Sequence, residues 1–453
     1  MVKLHRKVIG SAAMFSAAGL VLAGCAAADE DATSGGEVEV VDQSAFEEAL
    51  STPTELTMWA WVPDIQNQVD MFMEEYPAID VTVENVGQGL DHYTAIRTAL
   101  SAGSGAPDVV QMELQYIASF DVTNDLLDLA AYGAGDLEDD FVPWVWNQVT
   151  AGERVLAIPQ DSGPMGNLYR QDIMEAAGVT TPPATWEEYA EAAQAVRDNT
   201  DSYISNLPSG QAGQWVGLLW QAGAKPFGFD GDSGVTVNVN SDRAKEVVTY
   251  WEELIKNDLV STDPDFTDEW YQGLNQGLYA GWLTAAWAPV FLSGAAEDTS
   301  GLWRAAPLPQ WGEGENVSGN WGGSSSAVLS ATENPIAAYE LARWINMDQE
   351  PALAFATEQF LFPTANSVLA DPAWLEQEPE FYGNQRVNEV FADISESVDV
   401  EFQWLPYMDF AYSSFNETMG VEIDAKGDLS AGLDAWQEAL VEYGEQQGFS
   451  VNE

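Results

Sequence analysis

The sequence predicts an α/β protein with more than one lobe. From residue 54 to residue 112, segments with strand alternation exchange with segments of helical spacing, which favours largely parallel strand pairing. The part of the 453-residue chain after residue 24 is longer than a single hydrophobic core usually serves. The formal net charge of −58 would suit a disordered chain, but 18 Trp, 15 Tyr and 18 Phe are too many aromatic residues for that class. We therefore expect a folded protein with an acidic surface.

The first residues have the pattern of an export signal. A basic start precedes an apolar run over 8–23 that is too short for a comfortable membrane span. The run Leu-Ala-Gly-Cys ending at Cys25 resembles the lipobox of bacterial lipoproteins, in which the thiol receives a diacylglycerol and becomes the new N-terminus; the alternative is a buried Cys in an uncleaved helix. We expect residues 1–24 to be a signal peptide, residues 25–53 to be a lipidated flexible tether, and the protein to lie on the outer face of the cell membrane.

The elements follow in a regular order along the first part of the chain. The pattern predicts a strand over 56–61, a helix over 65–76 ended by Pro77, a strand around 81–83, a helix through 93–100 and a strand over 108–112. Later helices are indicated by the capping pattern of Thr185 with Glu188, by Asn240 or Ser241, and by Asn334-Pro335. We expect these later helices to pack against a second sheet.

Composition and motifs exclude several classes of function. So acidic a chain argues against nucleic acid or an anionic lipid surface as a partner. With Cys25 the only thiol, neither a disulfide nor a cysteine-ligated zinc site can form. No Walker loop, GxSxG elbow or HExxH motif is present, and His92 is the only His beyond the signal segment. We expect His92 to be a solvated or capping residue, and we assign the protein no cofactor and no metal.

Tryptophans in Gly-, Pro- and Asn-containing segments are the clearest sign of a ligand. They occur in Trp282-Leu-Thr-Ala-Ala-Trp287-Ala-Pro and in Asn320-Trp321-Gly322-Gly323. A pyranose has an apolar CH face that stacks on an aromatic ring and a rim of hydroxyls that need fixed donors and acceptors. Each such Trp could equally be a core residue. We interpret those in loops as candidates for sugar binding.

The chain resembles the extracellular solute-binding proteins of carbohydrate ABC importers over residues 54–445. The motifs that carry the resemblance are LTMWAW over 56–61, YTAIRTALSAG over 93–103, APDVV over 106–110, LAIPQD over 156–161 and GWLTAAW over 281–287. The resemblance implies a two-lobed periplasmic-binding-protein-like fold with a ligand cleft between the lobes, delivery of the ligand to the transmembrane subunits of a permease, and no catalysis. It places lobe 1 at 54–160 plus 290–345 and lobe 2 at 161–289 plus 346–453. We expect a monomer that meets the membrane only through its lipid.

The resemblance also places the cleft residues at strand ends and in loops. Polar contacts to sugar hydroxyls are expected from Gln88, Glu113, Gln115, Asp161 and Gln403. Stacking platforms are expected from Trp61, Trp220, Trp287, Trp321 and Trp404. The segment 163–166 is either a hinge or a turn near one.

Two other functions stay open at the level of the sequence. A surface-anchored glycoside hydrolase would use the same aromatic cleft with Glu113 and Asp161 as its carboxylate pair. A binding protein for a non-sugar solute would share the fold, since fold does not fix function.

Overall fold

The computed structural model describes residues 40–453. The predicted signal peptide and the predicted lipidation of Cys25 lie outside the described residues. The helices are α1 (Gln43–Ser51), α2 (Gln66–Glu75), α3 (Leu90–Ala102), α4 (Ile117–Asp121), α5 (Pro143–Gln148), α6 (Gln171–Ala176), α7 (Trp186–Asn199), α8 (Ala212–Gln221), α9 (Asp242–Lys256), α10 (Asp268–Gln276), α11 (Ala288–Ala295), α12 (Pro335–Met347), α13 (Gln349–Thr357), α14 (Asn366–Leu369), α15 (Pro372–Leu375), α16 (Val387–Ser395), α17 (Met408–Glu417), α18 (Met419–Asp424) and α19 (Leu429–Gln447). The strands are β1 (Thr54–Trp59), β2 (Ile79–Glu84), β3 (Val109–Glu113), β4 (Thr150–Ala151), β5 (Arg154–Val155), β6 (Ile158–Arg170), β7 (Phe227–Phe229), β8 (Gly234–Val237), β9 (Gly281–Ala285), β10 (Trp303–Pro307), β11 (Asn320–Val328) and β12 (Ser450–Asn452).

A seven-stranded sheet forms the centre of the molecule, in the order β10-β6-β11-β3-β1-β2 with β9 also paired to β6. Strand β1 pairs in parallel with β2 and β3, as the strand and helix alternation predicted. The expectation of largely parallel pairing is wrong for the rest of this sheet, because β11 pairs antiparallel with β3 and β6, and β6 pairs antiparallel with β9 and β10. Because parallel strands point the same way, the chain leaves β1, β2 and β3 at one edge of the sheet. That edge is where ligands bind in open α/β sheets.

Strands β6 and β11 connect the two halves of the sheet, of which one contains β1, β2 and β3 and the other contains β9 and β10. The first half of β6 pairs with β11 beside β3, and its second half pairs with β9 and β10. The register shifts between Asn320 and Gly323, where the two backbones come very close. A Cβ added to Gly163 would lie 2.0 Å from the carbonyl oxygen of Trp321. Glycine is therefore required at this crossing because of space. The expectation of a turn at 163–166 is wrong, because these residues lie inside β6, and a hinge at this position stays a prediction.

The strand pairing bears on where the lobes divide. Strand β10 lies with β9 on the second half of β6, whereas α12 packs on β11 and β1, and α13 packs on α2. The segment 290–345 therefore contributes to both halves of the sheet. The expected lobe borders stay a prediction.

The expectation of a flexible tether over residues 25–53 is wrong for residues 43–51. Residues 43–51, which were expected to be flexible, form α1, whose N-terminus is capped by the Asp42 side chain. Phe46 on this helix packs edge-on against Tyr339 of α12 at 6.0 Å between ring centroids. A capped helix with an aromatic contact is ordered because it buries apolar surface that a free tether would expose.

The predicted helix starts are confirmed. Thr185 Oγ1 accepts from the backbone N–H of Glu188 at the start of α7, Ser241 caps α9, and Pro335 opens α12. The expectation that they all pack on a second sheet is wrong for α12, which covers the main sheet at β11. Helix α9 packs on α19, which lies against the small sheet β12-β8-β7. Within residues 40–453, none of the helices has the length and apolar character needed to cross a membrane.

Candidate functional site

A cavity of about 500 Å³ opens where the chain leaves β1, β2 and β3. It is lined by Trp61, Gln88, Gly89, Glu113, Gln211, Phe266, Trp287, Trp321 and Gly322. The first four follow or end the three parallel strands, and the others come from segments after residue 200. The cavity thus combines aromatic rings, two amides and a carboxyl group.

The aromatic side of the cavity is held by contacts within it. The Trp287 Nε1–H donates to the carbonyl oxygen of Trp321 at 2.8 Å, and the two indoles meet edge to face with 5.0 Å between centroids. Phe266 lies 6.3 Å from Trp287 and is 41% exposed. The Trp321 indole rests on Gly213 of α8, where a Cβ would come within 2.8 Å of the ring. These rings are therefore fixed in orientation and keep apolar surface accessible.

The Trp61 ring packs against the ring of His92. The two rings meet edge to face at 4.9 Å, and His92 Nε2 hydrogen-bonds the carbonyl oxygen of Gln111 at 2.9 Å. The Gln111 side-chain oxygen accepts from the backbone N–H of Trp61 at 3.0 Å. The expectation of a solvated or capping His92 is wrong: the residue is fully buried, and burial lowers the pKa of its imidazole. The buried imidazole is therefore part of the core against which the Trp61 ring packs.

Glu113 is the carboxyl group of the cavity. Its Oε2 accepts from the Tyr93 hydroxyl at 3.0 Å, and its Oε1 accepts from Gln115 Nε2 at 3.0 Å. Burial raises the pKa of Glu113, while these two hydrogen bonds act in the opposite direction. Both donors hold the carboxylate in one orientation at the end of β3, so it is preorganised to accept a hydroxyl.

Gln211 and Phe266 belong to the cavity but were missed by sequence reasoning. Gln211 immediately precedes α8, and its Nε2 donates to Asp265 Oδ1 at 2.9 Å. Phe266 follows Asp265 and has a φ of 53°, in the left-handed region that is uncommon for an aromatic residue. Neither residue stands in a motif, and only the tertiary fold brings their loops to the cavity.

The structure brings part of the predicted set together. Trp61, Gln88, Glu113, Trp287 and Trp321 all line the cavity. Gln115 does not line it and is buried behind Glu113. Asp161 lies at the β6–β11 crossing, where its Oδ1 accepts from the Ser324 backbone N–H at 2.9 Å and from the Ser324 hydroxyl. Its carboxyl group is therefore hydrogen-bonded within the strand crossing and does not line this cavity.

Three predicted residues lie elsewhere. Trp220 is 1% exposed and stacks on Phe402 at 3.9 Å, so neither face of its ring is open to a ligand. Trp404 is buried and donates from Nε1 to Gln148 Oε1 at 2.6 Å. Gln403 is exposed, and its side-chain oxygen accepts from the backbone N–H of Phe229. Gln403 and Trp404 line a different cavity, of about 650 Å³.

The cavity has no feature of a metal or phosphate site. Its lining residues, all in the described part of the chain, include no Lys, Arg or His. Over residues 40–453, no group of three or more His, Cys, Asp or Glu is arranged to hold a metal ion. The cavity can stack its aromatic rings on a ligand, form hydrogen bonds through its two amides, and accept hydrogen bonds with its one carboxylate.

Comparisons with known proteins agree on one family. A family model for bacterial extracellular solute-binding proteins matches residues 51–349. The arabinooligosaccharide-binding protein of Halalkalibacterium halodurans is 23% identical over 396 residues, which is 83% of this chain and 87% of that protein. The lactose-binding protein of Rhizobium radiobacter is 24% identical over 360 residues, covering 75% of this chain and 81% of that protein.

Solved structures give the same answer. An ABC transporter associated binding protein from B. animalis subsp. lactis, in complex with beta-1,6-galactobiose, matches with a TM-score of 0.76 and 31% identity, over 88% of this chain and 99% of that one. The galacto-N-biose-/lacto-N-biose I-binding protein from Bifidobacterium longum matches with a TM-score of 0.78 at 24% identity, over 88% of this chain and 98% of that one, and supports the two-lobed fold. The protein belongs to the bacterial extracellular solute-binding protein family.

Proposed function

We propose that this protein is the sugar-binding receptor of an ABC importer, which binds a sugar or oligosaccharide reversibly in the 500 Å³ cavity and delivers it to the membrane permease. The observation that carries the proposal is the meeting of Trp61, Phe266, Trp287 and Trp321 with two amides and one carboxylate, without a basic side chain. Aromatic faces suit the CH face of a pyranose, and the polar groups suit its hydroxyls.

The relatives support this choice of ligand class. The names or titles of those reported above mention arabinooligosaccharide, lactose, beta-1,6-galactobiose and lacto-N-biose, and each of these proteins aligns with this chain over most of its own length. These ligands are all carbohydrates, so we assign a carbohydrate to this chain without choosing among them.

Lobe closure over the ligand is part of the proposal. The cavity takes Trp61, Gln88 and Glu113 from the ends of β1–β3 and the loops after them, in lobe 1 of the proposed division, and Gln211, Phe266 and Trp287 from loops of lobe 2. A ligand that contacts both sides stabilises the closed form, which the permease can distinguish from the empty one. We propose that lobe 1 comprises residues 54–160 and 290–345, and that lobe 2 comprises residues 161–289 and 346–453. Because of their packing partners, β10 is assigned to lobe 2 and α13 to lobe 1.

We propose the position at the membrane from the sequence pattern. Members of this family are extracellular, and the pattern ending at Cys25 favours a lipid anchor on the outer face of the membrane. Incorporation of a labelled fatty acid into the wild-type chain, and its absence in Cys25→Ser, is the expected result. Labelling that persists in the variant would contradict the anchor.

Reversible binding, rather than hydrolysis, is the activity we propose. A glycoside hydrolase needs two carboxyl groups across the scissile bond, and Glu113 is the carboxyl group among the described lining residues, with Asp161 engaged by Ser324. Titration calorimetry of residues 26–453 against mono- and oligosaccharides, followed by product analysis, tests the proposal. Saturable binding of intact sugar is expected. Sugar breakdown would establish the hydrolase, and no response to any sugar would favour a non-sugar solute.

A further inference from the structure

Asp265 is a carboxyl group next to the cavity that the proposed function does not use. Its Oδ1 accepts from Gln211 Nε2 at 2.9 Å, and Gln211 lines the cavity. Its Oδ2 is buried, with no hydrogen-bond partner in the part of the chain that the structure describes. A buried carboxyl oxygen of this kind is costly, so its retention beside a binding cavity requires an explanation.

The chemistry of the pair gives that explanation. A carboxamide has one end that donates and one end that accepts, whereas an ionised carboxylate can only accept. Asp265 therefore selects the nitrogen end of Gln211. The carbonyl oxygen of Gln211 then has no partner among the described residues and is free to accept a hydrogen bond from a ligand.

The surroundings of Asp265 contain little compensating charge. Among residues 40–453, no Lys or Arg forms an ion pair with it. Burial raises the pKa of Tyr271 on α10, and the charge of Asp265 adds to this rise. Asp263, on the same loop as Asp265, accepts hydrogen bonds from the hydroxyl groups of Ser261 and Tyr279. The nearby Asp268 and Glu269, at the start of α10, are exposed and of the same sign. Burial raises the pKa of Asp265 to about 6, and the Gln211 hydrogen bond acts against this rise.

We propose that Asp265 is the positioning residue of Gln211 and that it thereby selects ligands which offer a hydroxyl donor at this point of the cavity. This inference rests on the proposed function, because it assigns a role to a wall of the same cavity. Asp265 itself need not touch the ligand. It acts through the orientation of the Gln211 carboxamide.

The pairing of Asp265 with Gln211 should make sugar affinity depend on pH. Once Asp265 is protonated, its hydroxyl can donate to the Gln211 carbonyl oxygen, so the carboxamide can turn and present nitrogen to the cavity. A ligand hydroxyl then loses its acceptor. Sugar affinity should therefore fall as pH is lowered through about 6 and should be constant above it.

Binding of lactose and of beta-1,6-galactobiose to the full chain between pH 5 and pH 8 provides the first test. Asp265→Asn presents a donor as well as an acceptor, like the protonated acid, so we expect it to keep the weaker, low-pH affinity of wild type throughout this range and to show no step near pH 6. Asp265→Ala removes the acceptor and should weaken binding about tenfold at pH 7.5. Asp268→Asn, an exposed acid three residues away, should behave as wild type. A step that persists in Asp265→Asn, or unchanged affinity in Asp265→Ala, would overturn the proposal.

A second measurement does not depend on the sugar. In the full chain labelled with ¹⁵N-glutamine, the Gln211 side-chain signal, assigned by its loss in Gln211→Glu, should shift with a midpoint near pH 6. The shift should be absent in Asp265→Asn. If neither sugar binds but the signal titrates, the choice of ligand fails while the positioning role stands. A signal that does not titrate rejects the positioning role even if sugar binds.

Discussion

At the scale of single residues, the cavity is built by side chains that fix one another before any ligand arrives. Trp287 is tied to the Trp321 carbonyl, Trp61 rests on His92, and Glu113 is held by Tyr93 and Gln115. Such mutual support lowers the entropic cost of binding, because fewer side chains must be ordered on association. Single substitutions in this set should therefore reduce affinity more than they reduce stability.

Trp321 provides the first prediction. Trp321→Ala removes an accessible indole face but keeps the backbone carbonyl that receives Trp287, so sugar affinity should fall about 10- to 100-fold with little change in fold. Calorimetry measures the loss, and circular dichroism checks the fold. Trp311→Ala is the matched control, because Trp311 is also partly exposed but packs on Trp186, outside this cavity. Equal losses in the two variants would contradict a stacking role for Trp321.

Glu113 provides a prediction on stability and pH. Since burial raises the pKa of Glu113, its ionisation opposes folding, and this contribution appears as pH rises above the ordinary value for Glu. Glu113→Gln removes the charge and keeps an acceptor for Gln115. We expect the variant to bind sugar more weakly but to have a Tm at least as high as wild type at pH 7.5.

The Tm advantage of Glu113→Gln should shrink as pH is lowered, because the wild-type carboxyl group is then protonated as well. Scanning calorimetry at pH 4.5 and pH 7.5 measures the difference. Glu313→Gln, in an exposed loop, is the control and should show no such trend. An advantage for Glu113→Gln that grows on acidification would contradict a raised pKa for Glu113 in the folded protein.

At the scale of elements, the crossing of β6 and β11 holds the two halves of the sheet together and positions the aromatic wall. Trp321 and Gly322 lie on β11 where the register shifts, and Ser324 on the same strand engages Asp161 of β6. Gly323 has a φ of 95°, and its Cβ position would come within 3.0 Å of the Asp161 carbonyl oxygen. The register shift on β11 therefore both joins the two halves of the sheet and places Trp321 at the cavity.

Gly163 tests this crossing. Gly163→Ala forces a methyl group against the Trp321 carbonyl oxygen, so the strands must separate, and we expect a loss of about 1 to 3 kcal/mol in the free energy of unfolding. Urea denaturation measures the loss. Gly135→Ala is the matched control, because no heavy atom lies within 4 Å of its Cβ position. Wild-type stability in Gly163→Ala would mean that the crossing is looser than the structure indicates.

At the scale of the whole molecule, charge is the dominant property. The chain has 73 acidic residues against 15 Lys and Arg, so most carboxylates have no basic partner and repel one another. This self-repulsion favours solubility but opposes the compact state. It acts over about 10 Å at 0.1 M salt and is therefore sensitive to ionic strength.

The charge leads to a prediction on salt. Raising NaCl from 10 to 300 mM at pH 7.5 should increase the Tm, because screening weakens repulsion in the compact state. KCl at the same concentrations should give the same increase if screening, rather than a specific cation, is responsible. A Tm that falls with added salt would show that attractive ion pairs outweigh the repulsion.

The sequence alone determined the class of the fold and part of the site. Period-two and period-3.6 patterns specify strands and helices locally, and parallel strands bring Trp61, Gln88 and Glu113 to one edge whatever the rest of the chain does. Trp287 and Trp321, which were selected for their Gly and Pro neighbours, also line the cavity, although Trp321 lies on β11 at its register shift and not in a loop.

Only the tertiary structure decided the rest. Trp220 is in the core because Phe402, distant in sequence, stacks on it, and Asp161 is engaged because β11 crosses beside it. Gln211 and Phe266 reach the cavity, and Asp265 reaches Gln211, through packing between segments more than fifty residues apart. Such contacts depend on how whole elements meet in space, and no local pattern of residues encodes them.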